Sequence, residues 1–502
     1  MTFSQRLRSL AHQNPQRPAL IFTTDGGREE VTTRSQLDSQ SNQLARLLEA
    51  RGVSRGSLLA LALPNCPEHL LATIAGWKVG ACVLPLNPQS PLQELRDILT
   101  LASPSLVIGE SDSIEFADQV PCLSRAELAS FELLPDDELP DVVPWPGKAT
   151  LSGGSSGRPK IVVDPNPWIK KPGSPHGERG RMAGLRPGQT QLVTTRLHHA
   201  MPFNWTHAGL FEGHTIILME NFNPFLALEL IERHRVDWMQ LVPIVMKRLA
   251  DASDQQPTDL SSLGTVLHAG APCPPWLKHW WIDQLGAKAV WEYYSSTENI
   301  GLTMIRGDEW LIRPGSVGRP VGCDLRILSE EGIRLAAGEI GDIFTRPHSP
   351  DPTYEYLGSP PVKETRDGFL SIGDIGWVDE DNYLFISDRR TDLIVTGGVN
   401  VYPAEVEAVL SEHPSVSDLA VVPIRDQEWG HRVHAIIEPK NSAIPPTIEE
   451  LSAFCRERLA PHKVPKTYEF VRKLPREPTG KIRRSALTQH EETDTPTVSA
   501  SE

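Results

Sequence analysis

The sequence predicts an α/β protein, with a large N-terminal domain of parallel sheets plus a small β-barrel-like part, then a small α+β C-terminal domain. Three observations carry this. Apolar runs alternate with helical patterns, the texture changes near Ile340, and a compact mixed pattern begins near Arg389. The 502 residues suffice for about three structural units. Ser57 to Leu63, apolar from Leu58 onward, reads as a buried strand. Pro67 to Val79 follows as a helix with Pro67 in its first turn. Cys82 to Leu86 is the next strand. The alternation returns as helix 225–235, strand Trp238 to Val242, helix 244–252 and strand Gly264 to His268. Strands separated by single helices pair in parallel. After Ile340 short strands dominate, as at Phe369 to Ile372 and Tyr383 to Ile386, with Asp379 to Asn382 as a hairpin turn. Strand Leu393 to Val395, helix Pro403 to Leu410, strands Leu419 to Val422 and Val433 to Glu438 and helix Thr447 to Leu459 complete the chain. The expected division is 1–388, 389–490 and a disordered acidic tail at 491–502. Asp164 to Gln189, rich in Pro, Gly and basic residues, reads as a long surface loop or insertion.

Composition excludes several classes. The 49 Lys and Arg against 64 Asp and Glu give a net charge of −15, a poor surface for nucleic acid. No apolar run reaches the length of a membrane span, and the first residues lack a secretory apolar stretch, so a cytoplasmic protein is expected. The six cysteines are scattered without a C-x-x-C pair, which suggests core residues rather than zinc ligands or disulfides.

The segment Leu151 to Lys160 carries the strongest chemical signal. Gly153, Gly154 and Gly157 let the backbone turn tightly and approach a ligand. Backbone N–H groups with the hydroxyls of Ser152, Ser155 and Ser156 can surround phosphate oxygens, and Lys160 adds charge. A flexible linker would not run straight into the strand-like Ile161-Val162-Val163. A Walker loop needs G-K-[ST] opening a helix, whereas Arg158-Pro159 intervenes here. Gly153 to Gly157 also matches G-x-S-x-G, but a hydrolase elbow too must lead into a helix.

The segment resembles the signature loop of the acyl-adenylate-forming superfamily, which holds acyl-CoA synthetases, adenylation domains of peptide synthetases and luciferases. Further motifs follow in that family's order, over roughly residues 10–490, and lie closest to the acid–CoA ligases. Gly270, Ala271 and Pro272 resemble the turn that floors the adenine pocket. Tyr294-Ser295-Ser296-Thr297-Glu298 resembles Y-G-x-T-E, with Ser295 where the family usually has Gly. The likeness implies that Tyr294 stacks on adenine, Thr297 bonds the α-phosphate and Glu298 binds Mg²⁺, which suits a hard cation shared with phosphate oxygens. Asp374 in Gly373-Asp374-Ile375-Gly376 is implied to hold the ribose hydroxyls, and Arg389 to contact ribose or phosphate. The hinge position, usually Asp or Lys, falls on Thr391. Gly397 and Gly398 begin a loop similar to the one that opens the thioester-forming site to CoA. Leu474 to Ile482 resembles L-P-R-x-x-x-G-K-I, which makes Lys481 the implied catalytic lysine and the C-terminal domain a mobile one.

Met201 to Gly209 occupies the place of the motif that opens the acyl site. Aligned from Pro202, Trp205 stands where many acid–CoA ligases have His or another aromatic residue. No carboxylate occurs from His198 to Leu210, which disfavours an α-amino acid. The expected pocket is Phe203, Trp205, His207, Trp291 and Tyr293, suited to an apolar cyclic or aromatic acid. The histidines 198, 199 and 207 lack a completing carboxylate, so a metal there is not expected. The reading is an ATP-, Mg²⁺- and coenzyme A-dependent acid ligase, with transfer to an amine or carrier protein as the alternative. A nucleotide-binding protein without activity conflicts with Glu298, Asp374, Arg389 and Lys481, all of which are kept.

Overall fold

The computed structural model describes residues 1–110, 120–152, 160–173, 176–389, 392–396, 399–426, 429–476, 482 and 484–487. Two parallel blocks form the N-terminal part. In the first, the strands Val290–Ser295, Thr265–His268, Trp238–Leu241, Thr190–Val193, Thr215–Met219 and Pro18–Thr23 lie side by side, all parallel. In the second, Cys82–Pro85, Leu58–Ala62, Leu106–Gly109 and Cys122–Ser124 are parallel. Both blocks are buried on two faces, hence their nearly unbroken apolar sequence. Helices Phe3–Gln13, Arg34–Ala50 and Pro67–Lys78 contribute to the largest core, which joins Leu59 and Leu61 of one block to Ile216 and Leu218 of the other. Pro67 starts its helix as expected, where the missing N–H costs nothing.

Past Val290–Ser295 the sheet turns antiparallel through Leu302–Arg306, Ser316–Pro320, Leu384–Arg389, Asp374–Val378 and Gly341–Pro347. The turn at 379–382 forms as expected. Asp379 accepts from the N–H groups of Asp381 and Tyr383, and Asn382 takes φ 64°, a left-handed value that Asn tolerates. The C-terminal domain is a sheet in which Val416–Asp426 and Gly430–Pro439 form a long hairpin, flanked by Ile394–Thr396, Val399–Val401 and Thr467–Phe470. Helices Pro403–Ser411 and Ile448–Arg456 cover its core of Ile394, Val406, Leu410, Val421 and Leu451. The tail at 491–502 lies outside the described residues.

One expectation is corrected. The segment 164–189 is more than a surface loop: it holds the helix Gly177–Met182, and Trp168 is only 4% exposed. The Trp168 ring lies 5.4 Å from Trp77, so an aromatic side chain anchors the segment to the main core. All six cysteines are free, and Cys66, Cys82, Cys323 and Cys455 are buried.

A buried ion pair joins the helix Pro275–Leu285 to the strand Val290–Ser295. Lys278 Nζ meets Glu292 Oε2, with side-chain exposures of 2% and 9%, and the ammonium lies 4.7 Å from the Trp310 ring centre. His268, on the adjacent strand and fully buried, is held neutral by burial and by the Lys278 charge. Lys278→Met strands a buried carboxylate and should cost about 3–5 kcal/mol of stability. Adding Glu292→Gln should return part of that loss, as read from denaturant melts of both variants. No recovery in the double variant would mean that the pair is not the source.

Candidate active site

The parallel strands end on one edge, and that edge carries the candidate nucleotide residues. The sheet pairs His268 with Glu292, so the turn after Thr265–His268 and the end of Val290–Ser295 lie side by side. Gly270, in the first of these, has φ 89°, which only glycine adopts without strain. Ala271 and Pro272 follow it towards the helix Pro275–Leu285. Tyr294 and Ser295 end the second strand. The Ser295 hydroxyl donates to Gly301 O at 2.8 Å, so the serine found where the family has glycine is spent on closing the turn. Half-buried Thr297 and buried Glu298 sit in that turn, which closes by Asn299 N–H to Ser296 O at 3.1 Å with Asn299 at φ 54°.

Two hydrogen bonds tie this turn to other elements. Tyr294 Oη donates to Asp374 Oδ2 at 2.5 Å. Asp374 in turn pairs by backbone register with Arg389. The structure therefore brings Tyr294, Asp374 and the Arg389 backbone together. Tyr356 Oη donates to Glu298 Oε1 at 2.6 Å, and burial with the Glu298 charge pushes the phenol's pKa up, so it stays a donor. Sequence reasoning did not single out Tyr356; its only signal is the alternation Tyr354-Glu355-Tyr356 of a short strand. That strand pairs with Lys160–Val163, which pairs with Ala149–Ser152, matching Ser152 to Lys160 across the base of the phosphate-loop candidate. Lys160 Nζ lies 5.2 Å from the Tyr356 ring centre. Gly153, Gly154, Ser155, Ser156 and Gly157 lie outside the described residues, as do Gly397, Gly398 and Lys481. An isolated antiparallel bridge pairs Arg476 with Ile482, and Arg476 is fixed to Asp418 at 2.5 Å.

The five acyl-pocket candidates divide between two cores. Trp205, Tyr293 and Trp291 share one cluster with Trp238 and Leu267. Trp205 Nε1–H donates to Tyr293 Oη at 3.2 Å, and its ring lies 5.2 Å from Trp238 and 4.6 Å from His176. Burial raises the Tyr293 phenol to about 12. Phe203 and His207 face the other side of the helix Ala200–Phe211 and meet Trp77, 5.9 and 4.9 Å away between ring centres. Their spacing of four residues puts them on one stripe, and position 205 falls on another. Burial lowers His207 to about 3, so it is a neutral core side chain, with Nδ1 2.7 Å from Phe203 O. Among the described residues no group of three or more His, Cys, Asp or Glu could hold a metal alone. One buried carboxylate, Glu298, suits a cation whose other ligands are phosphate oxygens and water.

Family comparison agrees with this geometry. Residues 7–354 match the model of AMP-binding enzymes, and residues 405–481 match the AMP-binding enzyme C-terminal domain. The chain belongs to the AMP-binding enzyme family. It is 32% identical over 468 residues to a feruloyl-CoA synthase of Amycolatopsis sp., covering 90% of this chain and 92% of that one. Among solved structures it resembles the o-succinylbenzoate CoA synthetase MenE of Bacillus subtilis in complex with the acyl-adenylate OSB-AMP. The TM-score is 0.82 at 25% identity, covering 96% and 97% of the two chains. It also resembles the amide bond synthetase McbA of Marinactinospora thermotolerans, with a TM-score of 0.78 at 25% identity over 97% and 99%. No helix among the described residues is long and apolar enough to cross a membrane.

The Tyr294–Asp374 bond joins two elements of this candidate nucleotide edge. Tyr294→Phe should therefore raise the Kd for ATP by about 10-fold, the scale of a hydrogen bond to a charged acceptor. Isothermal titration calorimetry reads this directly. An unchanged Kd alongside a lowered melting temperature would make the bond purely structural.

Proposed function

We propose that this protein is an ATP-dependent, AMP-forming acid–CoA ligase that activates an acid with an aromatic or cyclic body. The observation that carries this is the meeting of Tyr294, Asp374, Thr297 and Glu298 at one strand edge, beside a separate aromatic cluster around Trp205. ATP would lie on that edge, with adenine against Gly270, Ala271 and Tyr294 and ribose at Asp374 and Arg389. The loop from Ser152 to Lys160 would hold the phosphates, with Thr297 at the α-phosphate. Glu298, kept in place by Tyr356, would hold Mg²⁺, which neutralises phosphate charge when bound. The acid's carboxylate attacks the α-phosphorus, forming the acyl–phosphate bond and releasing pyrophosphate. CoA thiol then attacks the acyl carbon, AMP leaves, and the thiol proton passes to solvent. The feruloyl-CoA synthase and MenE support CoA as the acceptor. ATP and CoA are drawn from the cytoplasm, where the reaction is assigned.

Lys481 would stabilise charge on the reacting carboxylate and leaving pyrophosphate, and the domain from near residue 389 would turn to present Gly397 and Gly398 for the second step. Lys481→Ala should slow adenylate formation by on the order of 10²-fold or more while sparing thioester formation from supplied acyl-adenylate. Pyrophosphate release and acyl-CoA formation, timed separately, check this; equal losses in both would refute the role.

The amide bond synthetase likeness and Trp205 favour a second reading, transfer to an amine. A panel of aryl and heteroaryl acids with ATP, Mg²⁺ and either CoA or simple amines decides between them by mass spectrometry. Acyl-CoA is the expected product. Amides at low amine concentration, without acyl-CoA from any acid that releases pyrophosphate, would overturn the CoA reading.

A further inference from the structure

One side chain outside the nucleotide motifs touches two of them. Tyr356 lies on the short strand Glu355–Leu357, which pairs antiparallel with Lys160–Val163. Its hydroxyl donates to Glu298 Oε1 at 2.6 Å. Lys160 Nζ lies 5.2 Å from the centre of its ring, and the Tyr354 ring stands 4.9 Å away. Tyr354 is fixed in turn, because its Oη accepts from Val362 N–H at 3.0 Å. The Tyr356 phenol is thus held on its face and at its tip.

Glu298 has little freedom of its own. Its backbone lies in the turn closed by Asn299 N–H to Ser296 O at 3.1 Å. Arg179 grips the same turn from outside, donating to Asn299 Oδ1 at 2.6 Å, and the Ser295 hydroxyl closes on Gly301 O at 2.8 Å. Glu298 is only 5% exposed. Among the described residues Tyr356 is the one side chain bonded to its carboxylate, and the bond goes to Oε1 alone. A carboxylate oxygen that accepts so short a bond has its charge engaged, so Oε2 is the oxygen left to meet a cation.

We propose that Tyr356 is a positioning residue that makes Glu298 a one-oxygen ligand and so selects the cation that accompanies ATP. Mg²⁺ demands a near-octahedral oxygen shell, in which one carboxylate oxygen fills one place. The two oxygens of a single carboxylate sit too close together to fill two of those places. Ca²⁺ is larger, takes more oxygens in a looser shell, and accepts both at once. Tyr356 therefore favours Mg²⁺·ATP over Ca²⁺·ATP by keeping the second oxygen from the larger ion. This rests on the ATP-dependent function proposed above and deepens it.

The place of Tyr356 in the fold ties this selection to the phosphate-loop candidate. Its strand is the third of a small sheet whose other two strands, Ala149–Ser152 and Lys160–Val163, flank that loop. Lys160 and a cation at Glu298 would neutralise the same phosphate groups, and one phenol touches both Lys160 and Glu298. The two contacts separate chemically. Phenylalanine keeps the ring beside Lys160 and removes only the hydroxyl at Glu298, so Tyr356→Phe isolates the bond to the carboxylate.

The test is calorimetric binding of ATP to the full-length protein, with no acid present and with saturating Mg²⁺ or Ca²⁺. The unmodified protein should bind Mg²⁺·ATP about 10-fold more tightly than Ca²⁺·ATP, the scale of one hydrogen bond to a charged group. Tyr356→Phe should bring that ratio close to one, chiefly by tightening Ca²⁺·ATP. In a Glu298→Gln background the same substitution should leave the ratio where it was, because the carboxylate it acts through is gone. Tyr356→Met gives the same reading if the phenylalanine variant does not fold. A merely structural tyrosine would weaken both complexes alike and leave the ratio unmoved. Equal affinities in the unmodified protein, an unmoved ratio in folded Tyr356→Phe, or a shift that persists beside Glu298→Gln would each overturn this inference and leave the ligase reading standing. No binding of ATP with either cation would overturn that reading, and this inference with it.

Discussion

The site depends on the register between Thr265–His268 and Val290–Ser295. Parallel pairing of Val266 with Val290 and of His268 with Glu292 sets Gly270 level with Tyr294, two residues further along each chain. The Gly270 turn and Tyr294 then emerge together, as ligands at the carboxyl ends of parallel strands require. The Lys278–Glu292 pair lies one layer behind this edge. It couples the helix following the Gly270 turn to the strand that carries Tyr294. A one-residue slip would move Tyr294 to the opposite face and separate it from Asp374.

The antiparallel extension completes the edge from the other side. Asp374 reaches Tyr294 because Asp374–Val378 lies two strands beyond Ser316–Pro320 in the same sheet. Its neighbour Leu384–Arg389 leads directly into the C-terminal domain. Buried Asp388 accepts from Ala404 N–H at 3.0 Å, and Arg484 bonds both Asp392 and Glu407. A hydrogen bond at Asp388 and the Arg484 ion pairs beyond it thus hold the chain on either side of Arg389.

Much of this was legible in the sequence because the relevant contacts are local or periodic. Gly270 marks a positive φ, Pro67 a helix start, and the apolar runs the parallel strands. What was not legible depends on distant chain segments. Tyr356 gains meaning only when its strand pairs with Lys160–Val163 and brings it to Glu298, 58 residues away. Phe203 and His207 carry the same aromatic signal as Trp205, and only the helix orientation separates the two faces. The segment 164–189 has loop composition, yet one buried indole at Trp168 gives it a fixed place. The two glycine-rich loops and Lys481 remain expectations from sequence, since they lie outside the described residues.

The antiparallel trio of Ala149–Ser152, Lys160–Val163 and Glu355–Leu357 has a consequence for how such an enzyme diversifies. Its strands end at Ser152 and begin at Lys160 on either side of the candidate phosphate loop, while the segment from Asp164 onward departs from the other end. Changes in that segment can remodel the neighbourhood of Trp205 without shifting the Ser152–Lys160 pairing. On the proposed function, selectivity and nucleotide handling would then be separately heritable. Grafting 164–189 between homologues becomes a natural unit of exchange, both in evolution and in the laboratory.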